Sequence, residues 1–182
     1  MRNWCKRLLT CCIRNSGEKT SLDTAIFKQT LNKRGWAIET MDPYTREFVS
    51  VAIKAGNSKE WCAEIGAAFG FATIKALKNG AQMIATDISP AHLKAIRSNT
   101  PNALMKNLRL QQGEFPEGNK IEENSVKYVL ICRVNHYFNP EQMDAAINEL
   151  FKILKPGGSV YLVSETPYGE VFKTFIPIYE KR

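Results

Sequence analysis

A chain of 182 residues that is 44% hydrophobic and 24% charged carries enough apolar material for one self-sufficient core, which excludes a disordered or collagen-like class. Its formal charge of +7 gathers at one end, where Arg2, Lys6, Arg7, Arg14 and Lys19 face only Glu18, so the remainder lacks the strong basic balance of a nucleic-acid-binding face. Five cysteines, an odd number with Cys62 and Cys132 inside apolar runs, speak against a disulfide framework and for a reduced, cytoplasmic setting.

Residues 1–20 read as a basic amphipathic segment distinct from an α/β domain over 21–182. Trp4, Cys5, Leu8, Leu9, Cys11 and Cys12 fall on one helical arc and the basic residues on the other. Such a segment over residues 2–14 suits a membrane surface, a partner's groove, a helix packed on the domain or a loosely ordered tail. Its apolar stretch is far shorter than the roughly 18 residues of a membrane span, and it has no small-residue cleavage site behind it. Over 15–41 the signals mix: Leu22, Ile26, Phe27 and Leu31 stand at helical spacing, with a stop at Lys33-Arg34-Gly35. Asp42-Pro43 then opens a helix as N-cap and first helical residue, and Gly56-Asn57 closes it.

From Trp61 the pattern becomes strand, tight glycine loop, helix, strand. The first strand ends on Glu64, the loop runs Gly66-Ala67-Ala68-Phe69-Gly70, and the second strand ends on Asp87. Ser89-Pro90 starts another helix, Leu108 to Gln112 is a short strand, and Val126 to Cys132 is an apolar run broken only by Lys127, as a strand covered on both faces requires. Asn139-Pro140-Glu141-Gln142 forms a capping box before the stripe Met143, Ala146, Ile147, Leu150, Phe151 and Leu154. Lys155-Pro156-Gly157-Gly158 turns the chain into a fifth strand, Ser159 to Ser164. The order implies a doubly wound, Rossmann-like, mainly parallel sheet of about five strands with N-terminal helices, its ligand at the carboxyl ends of the strands.

The chemistry follows from the strand tips. The loop has small residues at 66, 68 and 70 and Phe at 71, which departs from the G-x-G-x-x-G of dinucleotide binders and disfavours a nicotinamide oxidoreductase. What remains is a backbone that approaches a compact ligand, with a carboxylate just before it. Asp87, at the tip of the next strand, is placed to accept from the hydroxyls of a ribose, with Ile88 beside it to pack on an adenine; otherwise it is a surface or capping acid.

Taken together, Glu64-Ile65-Gly66-x-x-x-Gly70, Asp87, Gly113-Glu114-Phe115 and Leu154-Lys155-Pro156-Gly157-Gly158 resemble the class I S-adenosylmethionine-dependent methyltransferases over Trp61 to Ser164. The resemblance implies S-adenosyl-L-methionine as cofactor, with no metal. The methionine moiety would be held at Glu64, Gly66, Ala67 and Gly70, the ribose at Asp87 and Ile88, and the adenine at Glu114 and Phe115. The segment Cys132 to Phe138 falls near the transferred methyl. There His136 is a candidate general base or the partner of a loop carbonyl, and Arg133 a partner for a carboxylate. Ala68 replaces a common glycine, a change compatible with the loop if its φ is negative, and Lys127 stands where many relatives carry an acid.

The function expected is methyl transfer to an acceptor, most simply a small molecule; the alternative is a non-catalytic or truncated member serving as a cofactor-binding or interaction module. The family's usual last two strands have no counterpart in 165–182, so the fifth strand should be an exposed sheet edge. Phe172 to Tyr179 would cover that edge or pair with a second copy in a homodimer.

Overall fold

Asp42 opens the first helix as its side chain dictates, accepting from the backbone N–H of Tyr44 and Thr45 at 2.9 Å each. The computed structural model describes residues 27–164, so the N-terminal amphipathic segment and Phe172 to Tyr179 lie outside the described residues. Within them run β1 (Phe27–Gln29), β2 (Trp36–Ile38), α1 (Pro43–Asn57), β3 (Trp61–Ile65), α2 (Phe71–Lys78), β4 (Gln82–Asp87), α3 (Pro90–Asn99), β5 (Leu108–Gln112), β6 (Val126–Cys132), α4 (Pro140–Ile153) and β7 (Leu154–Val163).

Strands β3 to β7 form one parallel sheet in the order β5-β4-β3-β6-β7. The winding reverses between β3 and its neighbour β6, which places a crevice at the carboxyl ends of the central strands. Side chains alternate across the sheet as the pleat requires. Cys62, Met83, Ala85 and Leu130 pack with Phe48 and Ala52 of α1, Leu77 of α2 and Ile96 of α3. Ala63, Ile65, Ile84, Val129 and Ile131 pack on the other face with Ala146 and Ile153 of α4. Glu64 belongs to the first of these faces by the same alternation, which is how an acid in a central strand comes to meet Thr73 of α2.

Two expectations change. Residues 27–38 form no helix: β1 and β2 pair antiparallel, Gln29 opposite Trp36. The turn between them is set by Lys33 at φ 58° and by its N–H donating to the Thr30 carbonyl at 2.9 Å. Leu22 and Ile26 lie outside the described residues; for Phe27 and Leu31 helical spacing yields to turn chemistry and to the packing of the hairpin on the domain.

The second change concerns the fifth strand, which begins earlier than Ser159. Leu154 already pairs with Val126, and Lys155 to Gly158 form an irregularity before Ser159 pairs with Tyr128. Lys127, set opposite that irregularity, donates from Nζ to the Pro156 carbonyl at 3.4 Å, which gives the basic residue in β6 a structural place. Strand β7 is an edge of the sheet among the described residues. No helix of the described residues is long and apolar enough to cross a membrane.

Candidate functional site

The crevice at the strand ends is a cavity of about 390 Å³, within the range of small-molecule and cofactor sites. Its floor is Gly66 to Ala68 after β3, Asp87 and Ile88 at the end of β4, Gly113 to Phe115 after β5, and Cys132 to Val134 at the end of β6. The hairpin residues Thr30, Asn32 and Arg34 to Ile38, with Met41, Asp42 and Thr45 at the start of α1, form the opposite wall.

Gly66 and Gly70 both hold φ +69°, and a Cβ on Gly66 would stand 2.4 Å from Val134 Cγ2. The loop therefore needs glycine at 66 for conformation and for space. Ala68 is also left-handed, at φ 46°, contrary to the negative φ its side chain would favour. Its N–H donates to Asp87 Oδ2 at 2.8 Å, and this bond holds the strained residue in place. Relief of the αL penalty, about 1–2 kcal/mol, outweighs the added freedom of glycine in the unfolded chain, about 0.4–1 kcal/mol. Ala68→Gly is accordingly expected to raise Tm by a few degrees in a thermal melt.

Glu64 is buried at the base of the loop. Its Oε2 accepts from Thr73 N–H at 2.9 Å and Thr73 Oγ1 at 2.5 Å. Burial pushes its carboxyl up to about 7, against the lowering effect of the two Thr73 bonds, and the nearby Asp87 charge adds to the rise. A carboxylate that costs this much to ionise is one that a cationic ligand stabilises.

Asp87 is buried as well. Oδ1 accepts from Ser89 N–H at 2.8 Å and lies 2.9 Å from His92 Nδ1, while Oδ2 accepts from Ala68. A carboxylate has about four acceptor positions; described residues fill three, and the remaining one on Oδ2 is what Asp87 can offer a ligand hydroxyl. Ser89 makes no side-chain cap on α3; its N–H serves Asp87 instead.

Ile88, half-buried, and the buried Phe115 give the cavity apolar surface, with Glu114 exposed at its edge. Arg133, at φ 57°, also lines the cavity, its Nη1 3.1 Å from Cys132 Sγ and 3.7 Å from Asp42 Oδ2. Burial pushes the Cys132 thiol up to about 11, opposed by Arg133, so the sulfur beside the cavity stays a protonated thiol and a poor nucleophile. His136 does not lie on the cavity wall: it is exposed and packs on Tyr137 with 4.2 Å between ring centroids.

This geometry has counterparts. A family model described as a methyltransferase domain matches residues 63–158, more than half of the chain. The chain belongs to that family, the class I S-adenosylmethionine-dependent methyltransferases. An uncharacterized methyltransferase of Mycobacterium tuberculosis is 30% identical over 103 residues, which are 57% of this chain and 39% of the relative; the chain thus spans about two fifths of the curated relatives it matches.

Among solved structures, the glycopeptide N-methyltransferase MtfA complexed with S-adenosyl-L-methionine shares the fold at TM-score 0.54 and 22% identity, covering 69% of this chain and 57% of that one. Phosphoethanolamine N-methyltransferase 1 of Haemonchus contortus, in complex with phosphoethanolamine and S-adenosylhomocysteine, does so at TM-score 0.51 and 18% identity, covering 65% of this chain and 26% of that one.

For this methyltransferase domain the structure brings Glu64, Gly66, Ala67, Asp87, Ile88, Glu114, Phe115 and Arg133 to one cavity, with Gly70 just behind the loop as the N-cap of α2. It adds three residues that the sequence reading passed over. Thr73 is nine residues after Glu64 on the inward face of α2. His92 is five after Asp87, in the first turn of the helix begun by Ser89-Pro90, where a side chain turns back on the strand tip. Tyr137 bonds the hairpin through its hydroxyl to the Arg34 carbonyl at 3.0 Å.

Proposed function

We propose that this domain binds S-adenosylmethionine in the 390 Å³ cavity and transfers its methyl group to a small-molecule acceptor. The observation that carries the reading is the pair of buried acids on adjacent strand tips, Glu64 just before the glycine loop and Asp87 bonded to the middle of that loop at Ala68. Glu64 gains its charge from a cationic amino group and would hold the methionine end. Asp87 would take a ribose hydroxyl on its remaining acceptor position. Ile88 and Phe115 supply apolar faces for the adenine, Glu114 an acceptor at its edge, and Arg133 a cation for the cofactor's carboxylate.

When bound, the cofactor supplies a methyl group already activated by its positive sulfur. The chain's own work is alignment and exclusion of water. The hairpin wall from Arg34 to Ile38, with Tyr137 and Phe138, narrows the acceptor side and supports an acceptor of modest size. His92 has both nitrogens engaged, Asp42 caps α1, and His136 is off the cavity wall. Among the described residues this arrangement favours an acceptor whose nucleophilic atom needs no base at the moment of transfer, such as a neutral amine nitrogen. Labelled methyl transfer to a panel of small amines tests this, and the expected activity is abolished by Gly66→Asp, which forces a side chain onto Val134.

A second reading, cofactor binding without transfer, draws support from the same engaged groups. It gains if the intact chain binds S-adenosylmethionine yet methylates nothing in an acceptor panel that includes phenols, thiols and carboxylates as well as amines. Any transfer sensitive to Gly66→Asp rules it out.

A further inference from the structure

His92 is 1% exposed and stands between the two halves of the cavity. The backbone N–H of Leu31, in the β1–β2 turn, donates to its Nε2 at 2.9 Å across 61 positions of sequence. A backbone N–H can only donate, so Nε2 carries the lone pair and Nδ1 carries the proton, which it gives to Asp87 Oδ1 at 2.9 Å. One imidazole thus joins the acid at the tip of β4 to the hairpin that forms the opposite wall.

The hairpin depends on such tethers. Each of its strands has three residues, and an isolated two-stranded hairpin is marginal in water. Lys28 Nζ sits 4.1 Å from the centre of the Phe69 ring, and Phe69 in turn lies 5.6 Å from the His92 ring. At the far end Tyr137 holds Arg34, close against Gly35, where a Cβ would meet the Tyr137 oxygen at 2.4 Å.

We propose that His92 is a positioning residue that couples cofactor binding to closure of the hairpin wall. Held by His92, the Asp87 carboxylate keeps its remaining acceptor aimed for the ribose; held by the same ring, the hairpin completes the acceptor side. Coupling of this kind is reciprocal, so the cofactor tightens the hairpin and a tethered hairpin tightens the cofactor. The inference rests on the reading of Asp87 as the ribose acid.

Leu31→Pro isolates the link. Thr30 to Lys33 form a turn closed by Lys33 N–H to the Thr30 carbonyl, which puts Leu31 at the second position, where proline fits. The substitution therefore removes the N–H given to His92 and puts the ring Cδ in its place, which parts the turn from His92 without changing the turn type, while Leu31→Ala keeps that N–H. Hydrogen exchange over residues 32–38 of the full chain is measured with and without S-adenosylhomocysteine, together with its calorimetric affinity.

In the parent chain and Leu31→Ala, the ligand is expected to slow exchange of the hairpin. In Leu31→Pro this slowing is lost and affinity falls by about 5- to 10-fold. His92→Asn, which keeps a donor for Asp87 but cannot reach Leu31, provides an independent variant with the same expected loss of slowing. Parent-like affinity and slowing in both variants would overturn the coupling while leaving the cofactor site intact; absence of ligand binding to the parent chain would overturn both.

Discussion

Asp87→Ala is expected to weaken S-adenosylmethionine binding by at least about 100-fold. The side chain that would meet the ribose is also the acceptor for Ala68 N–H, Ser89 N–H and His92 Nδ1–H. Its removal costs a hydrogen bond to a charged group, about 1.5–3 kcal/mol, and frees the glycine loop and the first turn of α3 that shape the cavity. About 1.4 kcal/mol is a factor of ten in affinity, so the direct and indirect losses together exceed two factors of ten. Three donors left unpaired in a buried place also lower Tm, by on the order of 10 °C. Calorimetric titration well below the variant's melting temperature separates the two effects. An affinity within a few-fold of the parent's in the folded variant contradicts the placement of the ribose at Asp87.

Glu64→Gln should separate stability from binding in opposite directions. The folded-state carboxyl titrates at about 7, raised from 4.5 mainly by burial. Between those values the folded chain keeps a proton that the unfolded chain releases. Stability therefore declines as pH climbs from the lower value to the higher, and the full cost is present above about 7. Glutamine stays neutral and can still accept from Thr73, so in the absence of ligand Glu64→Gln melts higher than the parent at pH 8, by on the order of 2–3 kcal/mol of stability, with the gain shrinking toward pH 5.

Binding runs the other way. A cationic amino group favours the ionised carboxylate, so the parent's affinity for S-adenosylmethionine should rise as pH increases through about 7. The variant should bind more weakly at pH 8 with a flatter profile. Thermal melts and titrations at pH 5.5, 7 and 8 check both halves. A variant less stable than the parent at pH 8, or a parent affinity that falls over this range, would contradict the assignment of Glu64.

The parallel sheet was legible because its signals are local and mutually consistent. Asp42-Pro43 and Asn139-Pro140 with Gln142 mark helix starts by their own chemistry, and both caps form. The short apolar run through Val126 to Cys132 has the length and composition of a covered strand, and it lies between β3 and β7. The strand-tip residues followed, since a strand ending fixes where its last side chain stands.

What escaped the sequence depends on contacts between distant segments. The hairpin at 27–38 carries a helix-like spacing, and its strand pairing is decided by Lys33 in a left-handed turn and by tethers to His92 and Tyr137. Ala68 adopts a glycine's conformation because the Asp87 carboxylate, 19 residues away, captures its N–H. His136 attracts notice as the histidine nearest the expected methyl position, yet it is exposed and off the cavity wall, whereas His92 is the one engaged with the site. Residue type alone does not distinguish them; the helix start at Ser89-Pro90, which sets the first turn of α3 behind Asp87, does.

The central claim is that the space between the Gly66 loop and Asp87 is an adenosylmethionine site. Its most direct test is calorimetric titration of the 182-residue chain with S-adenosylmethionine and, separately, with a nicotinamide dinucleotide, at pH 8. The expected result is saturable one-to-one binding of S-adenosylmethionine that Asp87→Ala removes, with weaker or no binding of the dinucleotide. No saturable binding of S-adenosylmethionine, or tighter binding of the dinucleotide, would contradict the claim.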